Sequence, residues 1–208
     1  MASNVRQLRR DAVLEGVVDH LLDHGLGNAS LRALAAAVGT SDRMLLYYFS
    51  DKDELMLEAF ACIVQRQSAL LDKILPAGRQ PFEVLLARMW QILKAPDYAP
   101  YMRIWYDALG RASQGEDLYR TLTSRVLDLW FEWFEPHSSA PSAKRKEEIA
   151  AVIASACGLV MLRYLGREKE AEGAARALSR APAKSPRVGV RAPTSSRRVR
   201  AVTRAKKK

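Results

Sequence analysis

Residues 28–55 read NASLRALAAAVGTSDRMLLYYFSDKDEL, two short apolar segments on either side of a Gly-Thr-Ser turn. Ser30 is a suitable N-cap for the first segment, whose apolar residues recur at helical spacing until Gly39 ends it. The second segment is predicted to form a short helix to about Phe49, and residues 50–53 match a capping box that opens a longer helix. Two short helices joined by a Gly-containing turn are typical of a helix-turn-helix motif, whose second helix enters the major groove of DNA.

The rest of the chain is also predicted to be helical. Apolar residues from Val13 to Leu22 form a helical stripe that ends at Gly25, and the helix that follows Ser50 continues to about Leu75. Further helices are expected at four places and, more weakly, at a fifth: near 80–94, 98–111, 115–135, 143–166 and 168–178. Because no stretch alternates with a period of two, the predicted fold class is all-α, with an N-terminal three-helix domain and a C-terminal helical body.

The net charge of +10 is concentrated at the end of the chain. Of the 33 Lys and Arg residues, 11 lie in residues 179–208, a segment without Asp or Glu, which leaves 22 basic against 23 acidic residues elsewhere. Ala, Pro, Ser, Arg and Lys dominate this segment without a helical period, so it is predicted to be a disordered Lys/Arg-rich tail. Overall charge therefore gives no argument that residues 1–50 or 51–178 bind nucleic acid, and that argument has to come from local residues.

Composition and motifs disfavour several classes of protein. The first residues, MASNVRQLRRD, are charged without a following apolar segment, and no apolar run approaches the roughly 18 residues of a membrane span, so a soluble cytoplasmic protein is expected. Cys62 and Cys157 lie in apolar helical patterns and are predicted to be buried free thiols. His20 and His24 have a metal-capable spacing without the intervening Glu of a zinc protease, and no nucleophile motif occurs, so neither a metal, nor a cofactor, nor catalysis is expected.

The second short helix offers a surface for DNA. At 100° per residue, Leu45, Leu46 and Phe49 are predicted to face the core. Four residues are predicted to face outward: Arg43, Met44, Tyr47 and Tyr48. A guanidinium can pair with guanine, a thioether can contact a thymine methyl group, and phenols suit phosphates or base edges, so this face favours DNA binding.

Neighbouring residues suit contacts with phosphates. Ser30 and Thr40 stand at predicted helix starts, where hydroxyl and backbone donors can hold a phosphate. Lys52 lies in the first turn of its helix, where the helix dipole disfavours a cation unless a phosphate is near. Three arginines before the first apolar stripe are predicted to form an arm that reaches the DNA backbone or the minor groove: Arg6, Arg9 and Arg10.

Residues 28–55 resemble the DNA-binding region of the TetR family, in which a capped helix, a Gly-Thr/Val-Ser turn, an aromatic-rich recognition helix and an F-x-x-K-x-x-L helix start follow one another. Phe49, Lys52 and Leu55 fit the last pattern, and the resemblance covers about the first sixty residues. It implies that eight residues lie at or near DNA: Ser30, Thr40, Ser41, Arg43, Met44, Tyr47, Tyr48 and Lys52. Leu46 and Arg43 replace the aromatic and small residues of many members, so no base preference is carried over.

The resemblance also implies a division of the chain into a helix-turn-helix DNA-binding domain (1–50), a helical ligand-binding and dimerisation domain (51–178) and the tail. Ligand occupancy would move the helix after Ser50 and change the separation of two recognition helices. Aromatic residues in the middle of the second domain suit an apolar small-molecule pocket, although ordinary core packing is the alternative. The pocket candidates are Trp90, Tyr101, Met102, Trp105, Tyr106, Trp130, Phe131 and Phe134. Arg163 is a further candidate that could bind a ligand carboxylate or pair with a second copy of the chain; the alternative is that its apolar stem packs on the protein while its charged end reaches solvent.

The helix near 143–166 is predicted to form the dimer seam. One stripe carries Ile149, Val152, Ile153, Ala156 and Val160, and small residues at Ala154, Ser155 and Gly158 permit close helix approach. A homodimer would place two recognition helices one DNA turn, ~34 Å, apart.

The predicted function is therefore a sequence-specific transcription regulator. It is expected to be a ligand-responsive repressor that binds a palindromic operator in double-stranded DNA as a homodimer, and to be associated with the nucleoid. The alternative is a nonspecific DNA-binding or DNA-compacting protein, driven by counterion release at the tail.

Overall fold

A computed structural model describes residues 2–27, 29–75 and 78–180, with the backbone alone for residues 2–4. This part of the chain forms nine α-helices: α1 (Ala2–His24), α2 (Leu31–Ala37), α3 (Asp42–Tyr48), α4 (Lys52–Asp72), α5 (Phe82–Leu93), α6 (Ala99–Ser113), α7 (Asp117–Phe134), α8 (Ser142–Tyr164) and α9 (Glu168–Leu178). A 3-10 turn at Pro96–Tyr98 precedes α6, and the described residues contain no strand. The predicted all-α fold class is confirmed, whereas the predicted tail lies outside the described residues from position 181 onward.

Local capping sets the helix starts around the turn. Ser30 Oγ accepts a hydrogen bond from the Ala33 N–H at 3.2 Å, which confirms Ser30 as an N-cap. The predicted capping box at 50–53 is displaced by one residue, because Asp51 is the N-cap of α4 and its carboxylate accepts from the Glu54 N–H at 2.8 Å. Glu54 accepts in return from the Ser50 N–H, and the hydrogen bonds from Ser50 hold the pKa of Glu54 below its usual value.

Two apolar clusters organise the helices. The first cluster contains side chains of α1, α2, α3 and α4 and of parts of α6 and α7, and it includes the fully buried Leu45 and Leu55. The second joins α5, α8 and α9 with the end of α4, where Leu71 is fully buried. Because α4 contributes side chains to both clusters, it connects the helix-turn-helix region to the rest of the fold.

The predicted N-terminal arm is wrong, because Arg6, Arg9 and Arg10 lie inside α1. The segment VRQLRRDA at residues 5–12 consists mostly of good helix formers and contains neither Gly nor Pro, so the helix extends well before its apolar stripe. The three side chains are therefore carried by a helix that packs on α2 and α4.

The predicted dimer stripe on α8 is also wrong in its direction. Ile149, Val152, Ala156 and Val160 are 3% exposed or less, because α5 and α9 pack on this face of α8 within the same chain. The opposite face of α8 is exposed and carries Ala151, Ala154 and Met161, and the exposed Leu165 follows directly after the helix. The small residue Ala154 lies on this exposed face, as close helix approach requires.

The two cysteines, the His20–His24 pair and the apolar character of the helices were also the subject of predictions. Cys62 and Cys157 are free and half-buried rather than buried, and burial raises the pKa of Cys62 to about 11. The His20 and His24 rings stack at 4.4 Å, and the described residues hold no group of three side chains suited to a metal ion. Among the described helices, none combines the length and the apolar character needed to cross a bilayer.

Candidate DNA interface and ligand cavity

The recognition helix α3 exposes three of the four predicted contact residues. Arg43, Met44 and Tyr47 are exposed, and Ser41 Oγ caps the helix by accepting from the Met44 N–H at 3.3 Å. A serine that accepts in this way keeps its hydroxyl proton free to donate, so Ser41 can cap α3 and donate to a phosphate at once.

Two side chains of α3 lie on the face opposite to the prediction. Leu46 is 46% exposed, whereas Tyr48 is half-buried and packs against the core. A helix of seven residues buries a single i, i+3, i+4 stripe, which here is Leu45, Tyr48 and Phe49. Leu46 is turned 100° from Leu45 and therefore belongs to the outer face with Arg43 and Tyr47.

Ser30 and Lys52 stand at helix starts as predicted, whereas Thr40 does not, because Ser41 is the N-cap of α3. Ser30 is exposed at the N-cap of α2, and Thr40 is half-buried in the turn, where its N–H donates to the Ala35 carbonyl at 2.9 Å. Lys52 is the first residue of α4 and is half-buried, without an ion-pair partner among the described residues. A cation at a helix N-terminus is unfavourable on its own, so the position of Lys52 favours an anionic partner.

Arg6 and Arg10 hold the C-terminal end of the recognition helix. Arg6 Nη2 donates to the Tyr47 carbonyl at 3.1 Å, and its guanidinium lies 4.4 Å from the centre of the Tyr47 ring. Arg10 Nε donates to the Tyr48 carbonyl at 3.2 Å while its Nη2 pairs with Glu58 of α4. Carbonyls at a helix end carry partial negative charge, so both cations stabilise α3, and Arg10 also joins α3 to α4. The i, i+4 spacing of the two arginines was the only sequence feature that pointed to a shared helix face.

Replacing Arg10 with alanine is expected to lower the free energy of unfolding by about 1–2 kcal/mol, because a partly buried ion pair and a hydrogen bond to a helix end are both lost. Urea denaturation measures this change. Arg9→Ala is the matched control, since Arg9 is exposed, has no partner among the described residues and should change stability by less than about 0.5 kcal/mol. Equal losses in the two variants would contradict the bracing role of Arg10.

Arg9 lies beside the recognition helix. Arg6 and Arg9 line a shallow surface depression together with Met44 and Tyr47. The start of α1 and the outer face of α3 therefore form one continuous surface with two guanidinium groups at its edge.

An internal cavity of about 70 Å³ lies among α4, α5, α6, α7 and α8. Five of the predicted pocket residues line it: Tyr101, Met102, Trp105, Trp130 and Phe134. Phe60 and Ile63 of α4 form another part of the wall, so the helix that leads from the helix-turn-helix region borders the cavity directly.

Four predicted pocket residues lie elsewhere. Tyr106 is turned 100° from Trp105 and donates its hydroxyl to the Cys157 carbonyl of α8 at 2.5 Å. Trp90 and Arg163 face each other, with the guanidinium 6.0 Å from the ring centre, and Arg163 Nε lies 3.2 Å from a Glu168 carboxylate oxygen. Phe131 packs under Lys146 of α8. Helical spacing alone could not separate these residues from the ones that line the cavity.

Two polar side chains in the cavity wall were missed by the sequence reasoning. Gln67 is 7% exposed and Tyr98 is 4% exposed, and both line the cavity. The Tyr98 hydroxyl has no hydrogen-bond partner, and the Gln67 side chain has none among the described residues. Burial raises the pKa of Tyr98, which keeps its hydroxyl protonated. Gln67 could have been found, because a polar residue there interrupts the apolar stripe of α4 between Ile63 and Leu71.

Helix α6 also connects the cavity wall to α1. Asp107 Oδ2 accepts from the Leu26 N–H at 3.1 Å, and Arg103 Nη2 donates to the Leu22 carbonyl at 3.3 Å. Trp105 on the same helix lines the cavity. A displacement of α6 would therefore act directly on the end of α1.

Part of the chain is similar to a known family of proteins. Residues 15–59 match the sequence profile of a family described as bacterial regulatory proteins, tetR family. No curated protein matches the chain significantly. The profile spans the second half of α1, the helix-turn-helix pair and the start of α4, which are the elements of the candidate DNA interface.

Solved structures share the fold over most of the chain. A transcriptional regulator from Rhodococcus sp. RHA1 is 20% identical, with a TM-score of 0.60 over 82% of this chain and 93% of its own. The multidrug binding protein EbrR, complexed with imidazole, is 18% identical, with a TM-score of 0.60 over 85% and 92%. A protein described as a transcriptional regulator from Saccharomonospora viridis, in complex with choline, is 19% identical, with a TM-score of 0.55 over 83% and 94%. Residues 15–59 therefore resemble the tetR family of bacterial regulatory proteins, and the described residues share a fold with solved transcriptional regulators.

Proposed function

We propose that the protein is a ligand-responsive transcriptional repressor that binds a palindromic operator as a homodimer. Residues 1–50 would form its DNA-binding domain and residues 51–178 its ligand-binding and dimerisation domain. The observation that carries the proposal is the outer face of α3, where Arg43, Met44 and Tyr47 are exposed beside Arg6 and Arg9.

In this proposal, side chains on the outer face of α3 contact the base edges of the operator. The Arg43 guanidinium can donate to a guanine edge, and Met44 and Leu46 can contact thymine methyl groups. Ser30, Ser41 and Lys52 stand at helix starts around this face, where they suit phosphates that position the helix without reading sequence.

The exposed face of α8 suits a second copy of the chain. Met161 is 48% exposed and Leu165 is 67% exposed, while Ala151 and Ala154 leave room for a closely packed helix. A symmetric pair of α8 helices would bury the same apolar face in both copies.

Replacing Met161 and Leu165 together with glutamate is expected to raise the dimer dissociation constant by roughly 100-fold, because four carboxylates would enter an apolar contact. Sedimentation equilibrium measures the change. Thr121→Glu with Arg125→Glu is the control, since these exposed residues have the same spacing on α7. A wild-type protein that is monomeric at high concentration, or a dimer that survives in the double variant, would count against this interface.

The small size of the cavity supports a mechanism in which ligand binding moves the surrounding helices. A cavity of 150 Å³ accommodates benzene, so the 70 Å³ found here has to widen before a ring of that size fits. Phe60 and Ile63 of α4 and Trp105 of α6 form part of the wall, and both helices contact α1. A ligand that binds the widened form more tightly would shift the population toward it and change the placement of α3.

The eleven Lys and Arg residues in 179–208 favour a second function, nonspecific binding of DNA by the tail. Selection of bound duplexes from a random pool at about 0.15 M salt separates the two, because screening weakens loose electrostatic binding. Enrichment of one palindrome by the full chain, and equally by a chain that ends at Leu178, supports the repressor. Binding without enrichment that disappears with the tail supports the alternative.

A further inference from the structure

We propose that the cavity takes a neutral, single-ring aromatic compound with one hydrogen-bonding group, which pairs with the Tyr98 hydroxyl and the Gln67 side-chain amide. This inference rests on the proposed function only in that it names the effector of the proposed switch. It starts from two side chains, each more than nine-tenths buried, that have no protein partner and line the same small space.

Unpaired polar groups in a cavity wall work against folding. Nearly all buried polar side chains in native proteins are hydrogen-bonded, and an unpaired one carries the full cost of its desolvation. Phenylalanine and leucine would fill the positions of Tyr98 and Gln67 without that cost. The Tyr98 hydroxyl is such a group. The Gln67 amide, which is 7% exposed and has no partner among the described residues, lines the same cavity, so a ligand with its own donor or acceptor would complete the site.

The absence of charged side chains among the described residues that line the cavity favours a neutral ligand. The described side chains that line the cavity include no Asp, Glu, His, Lys or Arg, and its polar members are Gln67, two tyrosines, two tryptophans and Cys157. A carboxylate or an ammonium group would lose its water without gaining a counter-ion, which is strongly unfavourable in an apolar enclosure.

The aromatic side chains that line the cavity favour a ligand with an aromatic ring. Six aromatic side chains surround the space: Phe60, Tyr98, Tyr101, Trp105, Trp130 and Phe134. Ring edges and faces in this arrangement favour offset or edge-to-face contacts with another ring. Because the cavity of about 70 Å³ has to widen even for one ring, a single ring requires the least movement of the wall. The aromatic faces also make a quaternary ammonium compound the strongest competitor.

Calorimetry and thermal unfolding of the full chain without DNA test the proposal with five probes of one ring size: benzamide, phenol, toluene, benzoate and benzyltrimethylammonium. Benzamide and phenol are expected to bind at least tenfold more tightly than benzoate or the cation, and to raise the Tm with the logarithm of their concentration once it exceeds the Kd. Tighter binding of benzyltrimethylammonium or benzoate, or no binding of benzamide or phenol up to their solubility, would overturn the proposal.

Variants of the two polar residues test their role directly. Tyr98→Phe and Gln67→Leu are each expected to weaken benzamide binding about tenfold and to leave toluene binding unchanged. Without a probe, Tyr98→Phe is expected to keep the Tm or to raise it by about 2–4 °C, because an unpaired buried hydroxyl is removed. Tyr119→Phe is the control, since Tyr119 is equally buried but lies outside the cavity. Full benzamide affinity in Tyr98→Phe, or a lowered Tm with no effect on the probes, would show a purely structural role.

The outcome is separate from that of the proposed function. Operator selection is measured without a probe, so a protein that selects a palindrome but binds no neutral ring contradicts this inference alone. A protein that binds benzamide through Tyr98 while its operator affinity stays constant contradicts ligand-responsive repression and leaves the ligand class in place.

Discussion

Replacing Arg43 and Tyr47 together with alanine is expected to weaken binding to the selected operator at least about 100-fold, while nonspecific binding changes little. A good contact between a side chain and a base edge contributes about 1–3 kcal/mol of discrimination, and a dimer makes each contact twice. Both side chains are exposed on α3 and neither belongs to a core cluster, so the variant should fold normally. Fluorescence anisotropy at about 0.15 M salt, with operator and scrambled duplexes, measures the difference.

Arg125→Ala is the matched control for this experiment. Arg125 is an exposed arginine on α7, outside the helix-turn-helix pair, so its removal subtracts one cation and leaves the side chains of α3 unchanged. Equal losses in the two variants would mean that total charge, rather than the outer face of α3, determines affinity. That result would favour the tail-driven alternative.

The two adjacent leucines of the recognition helix are expected to differ sharply in their effect on stability. Leu45 is fully buried and Leu46 is 46% exposed. Leu45→Ala should lower the free energy of unfolding by about 2–5 kcal/mol, because buried contacts are lost and a cavity remains. Leu46→Ala should change it by less than about 0.5 kcal/mol, since no buried surface is affected. Urea denaturation of both variants measures the contrast.

The leucine pair also separates stability from recognition. Leu46 lies on the outer face with Arg43 and Tyr47, so Leu46→Ala is expected to keep the fold and to change the preferred base at a thymine position of the operator. A large loss of stability in Leu46→Ala would show that this side chain is buried after all and would move it out of the proposed interface.

Much of the fold could be predicted from the sequence, because the deciding interactions are local. Ser30 caps a helix through a residue three positions away, and Gly25 and Gly39 end their helices with φ values of 73° and 66°, a conformation that glycine adopts without strain. The succession of helices and breaks follows from such short-range chemistry and from the 3.6-residue period, so the all-α class and the helix-turn-helix region were both accessible.

Some features of the candidate sites could not be predicted, because they depend on residues far apart in the chain. Arg10 meets Tyr48 and Glu58 across separations of 38 and 48 residues, and nothing near Arg10 in the sequence indicates these partners. The cavity combines Gln67 with Tyr98 from different helices, and each residue alone is compatible with ordinary packing.

The sequence by itself therefore determined the fold class and the helix-turn-helix region. Only the tertiary structure decided which face of each helix is buried. Leu46 turned outward and Tyr48 inward, and the apolar stripe of α8 turned toward α5 and α9 rather than toward a second copy. The physical reason is that a helix with apolar residues on more than one side has no preferred face of its own, and the helices that pack against it, which come from distant parts of the chain, choose the face that loses water.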